Sequence, residues 1–212
     1  TDEERVENMP WILSDKSEWV KTTKLDGTSA TYILERKNFG QFEFYVTSRN
    51  VRQLTPEQTT YHNEVGGSTG NEYWDMAIKY NIEEILKNYL TIHHHMKYAC
   101  FQGEIVGPNI QSNPHKLKEV DFFAFNFIDS EHGRWNSLEA SNYWGRKGIK
   151  WVPIVDACYI LPDDFEEFKL SADGPCELEG ASGLREGYVY RNYKDPNKSF
   201  KNVSREYLIS RN

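Results

Sequence analysis

Three runs of β-branched and aromatic residues near the start of this 212-residue chain constrain its fold more than any other feature. They are Glu18-Trp19-Val20-Lys21-Thr22-Thr23-Lys24, Ser29-Ala30-Thr31-Tyr32-Ile33-Leu34-Glu35-Arg36 and Phe42-Glu43-Phe44-Tyr45-Val46-Thr47-Ser48-Arg49. Such residues suit a pleated, half-buried surface, and Asp26-Gly27 and Phe39-Gly40 punctuate the runs as turns. Residues 55–71 hold Pro56, Gly66, Gly67 and Gly70 and read as a loop. Over 72–90, Ile78, Ile82, Ile85, Leu86 and Tyr89 recur at the spacing of an amphipathic helix. Strands are expected at 97–106 and 121–128, a helix at 136–147, a strand at 150–155 and a short acidic helix at 162–169. Two last strands fall at 186–192 and 199–204. Residues 1–18, polar and acidic, read as a mobile lead-in to a compact unit over 19–212. The pattern is α+β, with antiparallel sheets cradling a cleft and helices outside.

Composition narrows the classes. The length is ample for a buried core, and 6 Trp, 13 Tyr and 11 Phe make that core aromatic. No apolar run approaches the roughly 20 residues of a spanning helix, and no signal-peptide pattern opens the chain. The first residue is Thr1 rather than a methionine, so upstream sequence is expected to have been removed. Cys100, Cys158 and Cys176 are odd in number and far apart, which reads as free thiols in a reducing, cytoplasmic setting. The net charge, 25 basic against 32 acidic residues or −7, argues against a general nucleic-acid coat protein. A local basic groove remains open, since Lys21, Lys24, Arg36, Lys37, Arg49 and Arg52 gather in one stretch. Arg191, Lys194, Lys198, Lys201 and Arg205 gather in another. Charge alone is equally compatible with solvated strand edges.

Several short motifs carry chemistry. Lys24-Leu25-Asp26-Gly27 places an amine beside a carboxylate and a flexible turn. An attacking lysine must lose its proton, against an ordinary pKa of about 10.4, through burial or nearby positive charge. A metal ion supplies that charge, Asp26 can hold a metal-bound water, and Gly27 admits a close approach. Taken alone, the same motif is as well an exposed hairpin turn. Glu104 lies in the otherwise apolar strand Phe101–Val106 flanked by Gly103 and Gly107, where a buried carboxylate needs a donor such as a ribose hydroxyl. An edge-strand glutamate in water is the alternative. Phe123, Phe125 and Phe127 alternate on one face; most of that stripe is core, and one ring can stack on a base. Glu186-Gly187 opens a strand with a carboxylate suited to a divalent metal, and Lys198-Ser199-Phe200-Lys201 offers amines to a phosphate. His93-His94-His95 cannot converge on one ion from regular structure and reads as an exposed helix end.

Taken in order, these runs resemble the nucleotidyltransferase motifs of ATP-dependent RNA ligases, in the superfamily that includes DNA ligases and mRNA capping enzymes. The similarity spans about residues 19–204, and Gln102-Gly103-Glu104 with Gly107-Pro108-Asn109-Ile110-Gln111-Ser112-Asn113 points to the RNA ligases. It also resembles the branch whose OB-fold domain precedes the catalytic one. The resemblance implies an ATP-grasp-like fold and Lys24 as the nucleophile that forms lysyl-AMP. Asp26 then organises metal-bound water, Glu186 positions Mg2+ or Mn2+, and Arg49 contacts ribose and phosphates. Glu104 takes a ribose hydroxyl, Lys201 the α-phosphate, and Phe125, ahead of Phe123, stacks on adenine. Relatives commonly show Lys-x-Lys where this chain has Ser199 and Lys201, and whether Lys198 replaces the missing amine stays open. The expected activity is sealing of RNA 3′-hydroxyl and 5′-phosphate ends in RNA repair, on nicked duplex RNA or an RNA–DNA hybrid, by a monomer. A DNA ligase, a guanylyltransferase or a catalytically silent nucleotide-binding or RNA-end-binding module are the alternatives.

Overall fold

β1 (Trp19–Lys24) and β2 (Thr28–Arg36), the first two expected strands, lie in different sheets. Asp26-Gly27 therefore carries the chain from one sheet to the other rather than closing a hairpin. β3 (Phe42–Thr47), α1 (Glu72–Lys79), α2 (Ile82–Ile92), β4 (Tyr98–Val106), β5 (Asp121–Asp129) and β6 (Gly133–Arg134) follow. Then come α3 (Ser137–Gly145), β7 (Ile154–Tyr159), α4 (Phe165–Leu170), β8 (Gly187–Asn192), β9 (Ser199–Val203) and α5 (Arg205–Ser210). The structure, a computed structural model, describes residues 2–53, 55 and 71–211. The loop expected over 55–71 lies outside them apart from Thr55 and Asn71.

One sheet has four strands in the order β7-β1-β8-β9 and the other five in the order β3-β2-β4-β5-β6, every ladder antiparallel. The α+β expectation holds. The larger sheet buries alternate residues of β2 (Ala30, Tyr32, Leu34) against α1, α2 and α3, where Leu86, Leu90 and Trp144 complete the core. The smaller sheet packs Trp19, Tyr188, Tyr190 and Phe200 against Phe168 of α4. A third cluster, Leu25, Val106, Phe123, Val152 and Leu178, joins the sheets beside the cleft.

Four expectations change. The lead-in is not a loose tail: two 3-10 turns, Val6–Asn8 and Pro10–Ser14, bury Val6, Ile12 and Leu13 in the core of the smaller sheet. The helix expected over 72–90 is two helices, because Asn81 sits at φ 49°. Asparagine tolerates this left-handed conformation better than most residues, and it breaks the helical run. The strand expected at 150–155 starts only at Ile154, after Pro153, which has no amide hydrogen to give. Finally, Phe123, Phe125 and Phe127 do not share a face. Pairing steps from Gln102 with Asn126 to Gly103 with Ala124, so Phe125 is the extra residue of a bulge. Phe127 therefore enters the helix-side core while Phe123 faces the junction of the sheets. α5 was not anticipated, although Ser204 caps it by accepting from the Tyr207 amide at 3.1 Å.

Candidate active site

Lys24 ends β1 opposite Gly187 of β8, so Glu186, one residue before that strand, meets it at once. Lys24 Nζ lies 2.8 Å from Glu186 Oε2, both side chains being largely withdrawn from water. A Cβ on Gly187 would fall 2.2 Å from the Asn202 carbonyl oxygen, and its φ of 150° disfavours any side chain. Glu104 arrives from β4, in register with Ser29 of β2, and Oε1 accepts from the Gly27 amide at 3.2 Å. Gly27 is required here by the protein itself, because a Cβ would lie 2.1 Å from the Ile105 carbonyl oxygen. The close approach expected for a nucleotide is made by β4.

These groups perturb one another. Burial alone would pull the Lys24 pKa down, but Glu186, by charge and hydrogen bond, outweighs it with help from Glu104 and Asp26, so the net direction is up. Burial pushes the Glu186 carboxyl up despite Lys24. Burial likewise pushes Glu104 up to about 7, with Lys24 opposing and Glu186 assisting. The resting lysine is thus an ammonium ion held by a carboxylate, and its activation requires that this attraction be cancelled.

Asp26 is not part of the cavity lining. Its carboxylate accepts from the Tyr207 hydroxyl of α5 and lies 3.6 Å from Arg211, while its amide donates to His115 Nε2 at 2.9 Å. Accepting that proton requires a neutral ring, and burial pushes the His115 pKa down. The charge of Asp26 nonetheless acts on Lys24, Glu104 and Glu186.

A cavity of about 130 Å³ opens on Lys24, Glu104, Arg49, Phe125, Val189 and Arg191, with Asp2 and Glu3 of the lead-in at its wall. Of the expected residues, Lys24, Arg49, Glu104 and Phe125 line it. Glu186 backs Lys24, and Lys201 borders it through a 2.6 Å bond to Asp2. Phe123 is buried in the cluster between the sheets. The basic groove resolves into these few cations. Arg36 donates to the Leu90 and Met96 carbonyls, Lys37 and Arg52 pair with Glu35 and Glu43, and Arg205 pairs with Glu166. Lys198 bonds Asp15 and lies over Trp19, so it does not stand in at the cavity for an amine at Ser199. Sequence reasoning missed His115, Tyr207, Asp2 and Glu3. The Ser204 cap was a usable signal for the helix carrying Tyr207, and Arg191 closes the very run that Glu186 opens.

Among the described residues, no group of three or more His, Cys, Asp or Glu side chains is spaced to hold a metal ion. The His93–His95 run ends α2, with His94 and His95 exposed, as expected. Glu186 and Glu104 are nonetheless buried carboxylates with raised pKa values, an environment that a cation relieves. Their hard oxygen donors fit Mg2+ or Mn2+, which keep several waters and need few protein ligands. Cys100, Cys158 and Cys176 are free thiols, and among the described residues no helix is long and apolar enough to cross a membrane.

An amine held ready between carboxylates at the junction of two antiparallel sheets places the chain among the covalent nucleotidyltransferases. The family model described as RNA ligase matches residues 17–203, and the chain belongs to that family. Solved structures of Naegleria gruberi RNA ligase resemble it closely. The form with PPi is 31% identical with a TM-score of 0.75, covering 99% of this chain and 57% of that one. A mutant with ATP and Mn is 29% identical with a TM-score of 0.76, covering 99% and 56%. An apo mutant is 30% identical with a TM-score of 0.76, covering 99% and 57%. The chain thus spans somewhat over half the length of these relatives. No curated protein sequence matches it.

Proposed function

We propose that this chain is the adenylyltransferase part of an ATP-dependent RNA ligase. The observation that carries the reading is the Lys24–Glu186 pair at 2.8 Å, at the wall of a cavity lined by Glu104, Arg49, Phe125 and Arg191. Lys24 gives up its proton and attacks the α-phosphorus of ATP. A nitrogen–phosphorus bond forms, the bond to the bridging oxygen breaks, and pyrophosphate leaves with the electron pair. AMP then passes to an RNA 5′-phosphate, and a 3′-hydroxyl displaces it to seal the strand. Glu186, with Asp26, would hold the divalent ion, which neutralises phosphate charge and favours the free amine. Glu104 accepts a ribose hydroxyl, Arg49 and Lys201 neutralise phosphate oxygens, and Phe125 stacks on adenine. Phe123 supports that ring from the core.

The relatives solved with ATP, AMP, PPi and Mn support this assignment of substrate and metal. We extend it to nicked duplex RNA or an RNA–DNA hybrid as substrate, to a monomer as the acting form and to RNA repair in the cytoplasm. Incubation with α-labelled ATP and Mn2+ should label the wild-type protein covalently and leave Lys24→Ala unlabelled. Equal labelling of that variant would remove Lys24 from its role.

A further inference from the structure

The outer end of the cleft holds a group that attack by Lys24 does not use. Arg191, in β8, is 3% exposed yet lines the cavity, and its cross-strand neighbour in β9 is Ser199. Arg191 Nη2 donates to Glu3 Oε1 at 2.7 Å, and the Ser199 hydroxyl donates to the other oxygen of the same carboxylate. Arg191 Nε, also buried, has no hydrogen-bond partner among the described residues. Beside this pair, the Asp2 carboxylate lies between Lys201 Nζ at 2.6 Å and Arg49 Nη2 at 2.8 Å. Two adjacent acidic residues thus fill two adjacent seats, each built from donors on different strands or loops.

Guanidinium and hydroxyl converging on two oxygens of one anion is an arrangement that a phosphate meets equally well. A wholly buried guanidinium is costly unless paired with an anion, so the seat favours whichever anion reaches it. The cavity left beside the acidic pair, about 130 Å³, is smaller than the several hundred Å³ of ordinary small-molecule sites, so a nucleotide requires that pair to withdraw. Val6 and Ile12 anchor the lead-in in the core, which leaves Asp2 and Glu3 as the part that can lift without unfolding it.

We infer that Arg191 and Ser199 form a phosphate seat, which Glu3 fills until a phosphate group of ATP or of an RNA 5′ end displaces it. The seat itself stands on geometry; the two candidate sources of the phosphate rest on the ligase reading.

Inorganic pyrophosphate is the first probe, because it needs no base-binding site. By calorimetry, Arg191→Gln should bind it at least tenfold more weakly than wild type. Arg191→Lys should fall between them, and Glu3→Gln should bind it several-fold more tightly. A purely structural ion pair gives the opposite result for Glu3→Gln, with pyrophosphate binding unchanged or weakened. That result, or wild-type affinity in Arg191→Lys and Arg191→Gln alike, overturns the seat even if one variant folds poorly. If ATP supplies the phosphate, Arg191→Gln weakens ATP binding at least tenfold more than AMP binding. If the RNA 5′ end supplies it, labelling of Lys24 by ATP is unchanged, and transfer of the bound AMP to 5′-phosphorylated RNA slows at least tenfold. A protein that binds pyrophosphate through Arg191 but never labels at Lys24 upholds the seat and refutes the ligase reading instead.

Discussion

Glu104→Gln should make the resting protein more stable while impairing it as an enzyme. Burial raises the Glu104 carboxyl from its ordinary 4.5 to about 7 in the folded chain. Below pH 4.5 the group is protonated in folded and unfolded states alike and has no effect. Between 4.5 and 7 the folded state retains a proton that the unfolded state has lost, so stability declines as pH rises. Above 7 the full penalty applies. At about 1.4 kcal/mol per pH unit, this interval amounts to about 3 kcal/mol. Glutamine keeps an acceptor for the Gly27 amide but forfeits the charge-assisted bond, which leaves a net gain of about 2 kcal/mol. For a chain of this size that corresponds to a Tm increase of about 4–8 °C above pH 8, shrinking towards zero near pH 4.5. Thermal unfolding of both proteins across that range, without nucleotide or metal, measures it. A constant offset, or a wild type that gains on the variant as pH rises, would show that the Glu104 carboxylate is not held in a desolvated site.

Other consequences concern packing and the cleft. Ile12→Ala should destabilise the protein by about 2–5 kcal/mol in urea unfolding, as a core truncation does, because Ile12 is wholly buried under the smaller sheet; an unchanged midpoint would mean the lead-in is not docked. Phe123→Ala should cost about 3–5 kcal/mol of stability, whereas Phe125→Ala should spare the fold and weaken ATP binding in titration; equal effects of the two on both measurements would contradict the bulge that separates them. Tyr207→Phe removes the hydroxyl that occupies Asp26, and should alter the Mn2+ concentration needed for Lys24 labelling while leaving Tm nearly constant; an unchanged metal dependence would separate Asp26 from the metal.

What could be read from the chain follows from how local each cause is. β2 announces itself because Ala30, Tyr32 and Leu34 alternate with less buried neighbours, and that period is a property of adjacent residues. Lys24, Glu104 and Glu186 were legible because charged groups in apolar surroundings need a chemical reason. The crossing between sheets at Asp26-Gly27 was not, since a two-residue turn signal does not say which strand the chain will pair with next. Nor was the bulge at Phe125, where the pairing register between β4 and β5 overrides a clean alternation. The lead-in misled because composition weighs acidic residues evenly, while three apolar ones, Val6, Ile12 and Leu13, decide its fate. Least visible were contacts across the chain, such as Asp2 with Lys201 and Asp26 with Tyr207, 199 and 181 residues apart.

The resting cleft is arranged as a set of neutral exchanges. Lys24 is matched by Glu186, Arg191 by Glu3, and Arg49 and Lys201 by Asp2. A polyanionic nucleotide entering such a site gains little if it only adds charge, because each cation already has a partner. Binding is favourable where the incoming phosphates replace carboxylates that can leave, and Asp2 and Glu3 sit on the one segment of the wall free to do so. The inner carboxylates cannot leave, since Glu104 and Glu186 belong to strand positions fixed by Gly27 and Gly187. They instead require a cation once Lys24 gives up its proton, which is why a divalent metal belongs at the inner end and a displaced acidic pair at the outer one. Strengthening the hold of Asp2 and Glu3 should therefore raise the ATP concentration needed for labelling without changing the metal requirement, and weakening Glu186 should do the reverse.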